Sequence, residues 1–329
     1  MNSIPEIDFL LALGLLIVVP LGLSLFRWSD PQAERLRSLA ARAVPFAAVA
    51  GALSLVPVEP LEDFGGVLAA LWLAVTVMIA ISALAELVKT RPPGVEPYLP
   101  MAACAYLAVG AFWLVLYRAG LRPQGNAIEL VGLTAVHFTF AGFAGPLLAA
   151  RAAYWLRALP GKWNRLAAFA GLGVVLAMVL VAVGISASPM VEVEGSLLMA
   201  ASLIAIAAGT TLIAFRLPVP ARLLLVISSA AVWISMVLAV QYAFGQYNVT
   251  GTISVRDMAR THGVLNLVFT VFGLLGWKLA GKRYTLGRRK DPTPQAPAPT
   301  VEQPAGQAGG ESGGGHGRQA PAEPAAGEP

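Results

Sequence analysis

Residues 64–88 read FGGVLAALWLAVTVMIAISALAELV, a run whose only ionisable side chain is Glu86. Coiled into a helix it is about 37 Å long, enough to cross a hydrocarbon layer of about 30 Å. Eight further runs of the same character follow or precede it: 8–26, 41–57, 99–117, 128–150, 166–186, 196–215, 223–244 and 258–279. Apolar residues make up 57% of the chain and charged residues 12%, against about 25% charged in an ordinary soluble domain. A soluble fold cannot hide that much apolar surface, so the solvent and first partner is the lipid bilayer. The fold class is all-α: a polytopic transmembrane helix bundle of about nine helices.

The loops set the orientation. The first loop and the start of the second run carry Arg27, Arg35, Arg37 and Arg42, the second loop carries only Glu59, Glu62 and Asp63, and the sixth again carries only acids, Glu192 and Glu194. Assigning alternate loops to opposite sides places 19 of the 23 Lys and Arg on one side. Basic loops stay cytoplasmic, which predicts an inner-membrane protein with its N-terminus outside and its C-terminus inside. The first run lacks a positive flank and a small-residue cleavage site. It is expected to remain as a helix.

Residues 1–286 are read as the membrane domain and 287–329 as a disordered cytoplasmic tail. Beyond Asp291 the chain is rich in Pro, Ala, Gly, Gln and Glu and nearly free of bulky apolar residues. Such a segment cannot offset its chain entropy by burial. His316 in that tract is read as inert. The single cysteine, Cys104, permits no internal disulfide and no cysteine metal knuckle. No basic face interleaved with aromatics points to nucleic acid. Metalloprotease, nucleophile-elbow, phosphate-loop and dinucleotide signatures are absent, which argues against a hydrolase or an ATP-driven pump.

Polar side chains deep in a membrane helix are costly and mark function or a satisfied packing contact. In the fifth run Thr134, His137 and Ala141 share one helix face. Gly142 and Gly145 allow close helix approach, and Pro146 predicts a kink below the histidine. In the ninth run His262 and Asn266 are four apart and share a face. Tyr242 closes the eighth run on the same side. The site expected from these residues holds Thr134, His137, Tyr242, His262 and Asn266 in the outer half of the bundle, rimmed by Arg256, Asp257 and Arg260. Two plainer readings stand beside it: a structural His137 bonded to a neighbouring helix, and a helix cap at Asp257 or Thr261. Glu86 is expected to pair with Lys89, three residues on. Pro20 and Pro45 are expected to break the first and second helices.

The segments His137-Phe138-Thr139-Phe140-Ala141-Gly142-Phe143 and Thr261-His262-Gly263-Val264-Leu265-Asn266, with Gly273-Leu274-Leu275-Gly276-Trp277, resemble the YndJ-like family of bacterial membrane proteins. The resemblance covers the membrane region from the third run onward. It implies a multi-pass, transporter-like protein with these segments at its core, and it brings no reaction with it.

Three functions fit these residues. The first is binding or movement of a small solute, ion or proton, with His137 titrating near neutral pH and Asn266 orienting it. The second is a redox or metal protein, in which two histidines hold haem, a metal ion or a quinone. No carboxylate is plainly placed beside them in the sequence. The third is a scaffold whose tail recruits a partner. No cofactor, metal or oligomeric state can be read from the residues.

Overall fold

The computed structural model describes residues 5–248, 253–281 and 284–285. The expected tail, 287–329, lies outside them. Among the described residues nine helices are long and apolar enough to span a membrane. They are α1 (Pro5–Leu23), α2 (Pro31–Leu53), α3 (Gly65–Thr90), α4 (Tyr98–Arg118), α5 (Ile128–Leu156), α6 (Trp163–Ala187), α7 (Pro189–Ala214), α8 (Val219–Asn248) and α9 (Val255–Leu279). Sequential neighbours pack as antiparallel pairs from α2 to α4 and from α6 to α9.

Helix α5 is the axis of the bundle. It packs against α1, α4, α6, α7 and α9. Every residue from Gly145 to Leu156 is buried, as expected of a helix surrounded by protein rather than lipid. Small residues permit this crowding. A Cβ on Gly142 would meet Tyr106 of α4 at 3.1 Å, and one on Gly145 would meet Val174 of α6 at 3.0 Å.

Two helices begin well before their apolar runs, α2 by ten residues and α7 by seven. α2 starts at Pro31, ten residues before the expected 41, and so takes Arg35 and Arg37 into the helix. Asp30 caps it, accepting from the backbone N–H of Gln32 and Ala33 at 3.0 and 2.8 Å. Arg37 is buried but paired with Glu34 at 2.7 Å, and it also donates to the Leu23 carbonyl. α7 starts at Pro189, so Glu192 and Glu194 belong to its first turns and not to a loop.

The expected Glu86–Lys89 pair is corrected by the structure. Glu86 is fully buried and accepts from Ser29 N–H, Ser29 Oγ and Asp30 N–H, which ties the α1–α2 connection onto α3. Three donors on a buried carboxylate satisfy it better than one exposed ammonium. Lys89 instead reaches Asp30 at 3.4 Å and Gln32. Trp28 in the same connection is buried and donates its indole N–H to Ser82 Oγ at 2.9 Å. Phe26–Arg27 also forms a two-residue parallel ladder with Tyr284–Thr285.

Three helices carry a π-helical turn: Gly14–Val18 in α1, Phe138–Ala144 in α5 and Ala259–Gly263 in α9. The first two end just before a proline. Val19 N–H bonds the Gly14 carbonyl five residues back, and Gly145 N–H bonds Phe140 in the same way. Pro20 and Pro146 cannot donate to the carbonyl four residues back, and the wider turn sits directly N-terminal to each. The expected break at Pro20 takes this form, whereas Pro45 lies inside an uninterrupted α2.

Candidate functional site

A cavity of about 300 Å³ lies between α1, α5, α6, α7, α8 and α9, at the end of the bundle where α1 begins. Leu10, Leu133, Val136, Phe140, Val181 and Met258 give it apolar walls. Thr134, His137, Tyr242, His262 and Asn266 all line it, so the structure brings the five sequence-predicted residues to one place. Ala141 lines it as well, one turn from His137 on the same face.

The two histidines differ in how they are held. His262 sits in the π turn of α9. Its Nδ1 lies 2.9 Å from the Ser235 carbonyl of α8, and a carbonyl only accepts, so Nδ1 carries the proton. That leaves Nε2 as an acceptor, and Asn266 Nδ2 donates to it at 2.8 Å. Ser235 Oγ lies 2.9 Å from Nδ1 and donates to the His262 carbonyl at 3.3 Å. Both ring nitrogens of His262 are therefore in use.

His137 precedes the π turn of α5. Its Nδ1 donates to the Leu133 carbonyl of its own helix at 3.0 Å. By the same logic Nε2 is the unprotonated nitrogen. Among the described residues it has no hydrogen-bond partner. Thr134 likewise spends its hydroxyl proton on the Leu130 carbonyl, at 2.8 Å. Its oxygen is left with lone pairs only. The ring centroids of His137 and His262 are 6.4 Å apart.

Sequence reasoning missed Glu192, Ser196 and Gln246, which also line the cavity. Glu192 was read as part of an acidic loop. The usable signal was Pro189, which starts helices well and would have drawn residues 189–195 into α7. Close α6–α7 packing sets the position of Glu192: a Cβ on Gly184 would lie 2.3 Å from Glu192 N, and one on Gly195 would lie 2.8 Å from Val181 N.

The expected rim is corrected. Arg256, Asp257 and Arg260 are exposed and do not line the cavity. Arg260 pairs with Glu6 of α1 at 2.6 Å, and Asp257 accepts from Ser254 Oγ, whose oxygen caps the first turn of α9. The cap is therefore Ser254 and not the expected Asp257 or Thr261, with Asp257 pairing back onto it, while His262 belongs to the contact with α8.

This donor set does not fit one metal ion held by both histidines, because Asn266 occupies the second nitrogen of His262. Among the described residues no group of three or more His, Cys, Asp or Glu is placed to hold a metal.

A family model described as YndJ-like protein matches residues 9–269, a span that contains every cavity residue named above. A membrane protein of Bacillus subtilis (strain 168), uncharacterized and called YndJ, is 28% identical over 236 residues, covering 71% of this chain. The match covers 41% of that relative, so the chain spans less than half its length. No solved structure matches.

Proposed function

The chain belongs to the YndJ-like family of multi-pass membrane proteins, and from that premise we propose that this member binds a small solute or ion in the cavity and passes it across the membrane. The observation that carries the reading is the state of His137. Its protonated nitrogen is spent on its own helix, and its other nitrogen stands at the cavity wall without a protein partner among the described residues. A solute that donates a hydrogen bond, or a proton, completes it. Asn266 and Ser235 hold His262 as a fixed wall beside it.

The π turns in α1, α5 and α9 support movement as well as binding. All three helices contribute to the cavity, and π turns recur where helices carry function. In this reading the protein lies in the inner membrane, with the cavity open to the outer side. The basic clusters support that orientation: Arg151, Arg157, Lys162 and Arg165 lie at or beyond the far end of α5. The saturated nitrogens of His262 weigh against two-histidine haem or metal ligation.

Two measurements test the proposal. Thr134→Cys in a Cys104→Ala background should react with a small membrane-impermeant thiol reagent added from outside. No reaction would count against an outward-open cavity. Vesicles holding the purified protein and a pH-sensitive dye should show solute or proton movement that His137→Ala abolishes. Movement that survives both His137→Ala and Asn266→Ala overturns the role given to this site.

A further inference from the structure

The chemistry of the cavity wall restricts what can occupy it. Thr134 and His137 have both given their protons to backbone carbonyls of α5. Each presents only lone pairs inward, so each asks for a donor. Glu192 adds a carboxylate, and it has no hydrogen bond or ion pair among the described residues. Among the described residues no Lys or Arg lines the cavity. The nearest candidates on α9 are turned elsewhere: Arg260 is held by Glu6, and Arg256 is exposed.

An anion would meet a carboxylate and two acceptors there, and donors on the wall such as Ser196, Tyr242 and Gln246 carry no compensating charge. A neutral apolar molecule would leave all three unpaired. A protonated amine satisfies them, and charge-assisted N–H···O⁻ bonds are stronger than neutral ones. The rest of the wall takes an apolar body. Leu10, Leu133, Val136 and Met258 supply aliphatic contact, and Phe140 and Tyr242 supply aromatic faces that attract a cation.

We propose that the cavity selects a small organic amine in its protonated form, with its ammonium group toward Glu192, His137 and Thr134 and its apolar body against Phe140 and the aliphatic wall. The assignment names the solute class for the function proposed above and rests on that reading. Glu192 is the charge that recognises the cation. His137 and Thr134 accept its N–H groups.

The test titrates the full chain in lipid nanodiscs with three probes of one size: 2-phenylethylamine, 2-phenylethanol and phenylacetate. Calorimetry reads binding, and protection of Ala141→Cys, in a Cys104→Ala background, from the thiol reagent reads occupancy of the cavity. The amine should bind about tenfold or more tighter than the alcohol, and phenylacetate should not bind. Glu192→Gln should bring the amine's affinity down to about that of the alcohol, while Glu192→Asp should keep most of the preference. Equal binding of amine and alcohol, preference for phenylacetate, or a preference that persists in Glu192→Gln would overturn the amine assignment. So would an Ala141→Cys that reacts freely but is protected by none of the probes. An Ala141→Cys that never reacts strikes instead at the cavity reading beneath it.

Discussion

The imidazole rings of His137 and His262 lie 6.4 Å apart, centroid to centroid, with 35° between their planes. Their nitrogens are used in opposite ways. Asn266 and Ser235 close off His262, while His137 keeps Nε2 for the cavity. Asn266 is therefore expected to matter for the fold. Asn266→Ala strips the acceptor of its donor in a part-buried site, and thermal unfolding in detergent should show a loss of about 1–3 kcal/mol. A melting temperature equal to that of the parent would disprove this account of the α8–α9 contact.

His137→Ala should behave differently. It removes one bond within a helix that stays hydrogen-bonded through its backbone, so stability should change by about 1 kcal/mol or less. Movement of solute or protons in vesicles should be lost. A variant that unfolds readily but still conducts would invert the roles given to the two histidines.

Gly184 sets how closely α6 and α7 approach, and with it the position of Glu192. Gly184→Ala places a methyl group 2.3 Å from Glu192 N, and overpacking of this kind costs about 1–3 kcal/mol. Gly66 serves as the control. A Cβ there meets Ala119 at an ordinary 3.8 Å, so Gly66→Ala should be neutral or stabilise by about 0.5–1 kcal/mol. Equal melting temperatures for the two variants would remove the close-packing argument.

Much of this arrangement was legible in the residues. Helices of twenty or so apolar residues identify themselves, and the spacings 134–137–141 and 262–266 put the right side chains on common faces. What hid was whatever interrupts the apolar pattern. The arginines of residues 31–42 look like a loop because hydropathy cannot see that Glu34 neutralises Arg37 or that Asp30 caps the helix. Glu192 and Glu194 hid the start of α7 for the same reason. Glu86 has Lys89 one turn away, and nothing local shows that the backbone of Ser29 and Asp30 folds across to claim it. The π turns are invisible because an added residue in a helix leaves composition unchanged.

Asp30 gives a pH test at the opposite end of the bundle. The Ala33 N–H that it accepts holds its carboxyl below the ordinary value of 3.8, and Lys89 acts in the same direction. A carboxylate depressed in the folded state adds stability that is present above 3.8 and fades as pH falls through its lower folded value. The melting temperature of Asp30→Ala should therefore fall below the parent's near neutral pH. The gap should narrow as the medium is acidified past that range. A gap independent of pH would mean that the cap acts without its charge.

The π turn at Phe138–Ala144 has a consequence for how α5 can change. A π turn inserts a residue into the α repeat, and each residue of an α-helix advances the chain by about 100° around its axis. Above the turn, the angular setting of α5 is keyed to the cavity through Thr134 and His137. Below it, the setting is keyed to the end of α9, where Arg151 donates to the carbonyls of Trp277 and Gly281. Deleting one residue from 138–144 would restore an unbroken α repeat but put the two keys out of phase, so that one of them must let go. Sliding the extra residue along the helix without deleting it would twist one end against the other, converting an event at the cavity into rotation at the far face of the membrane.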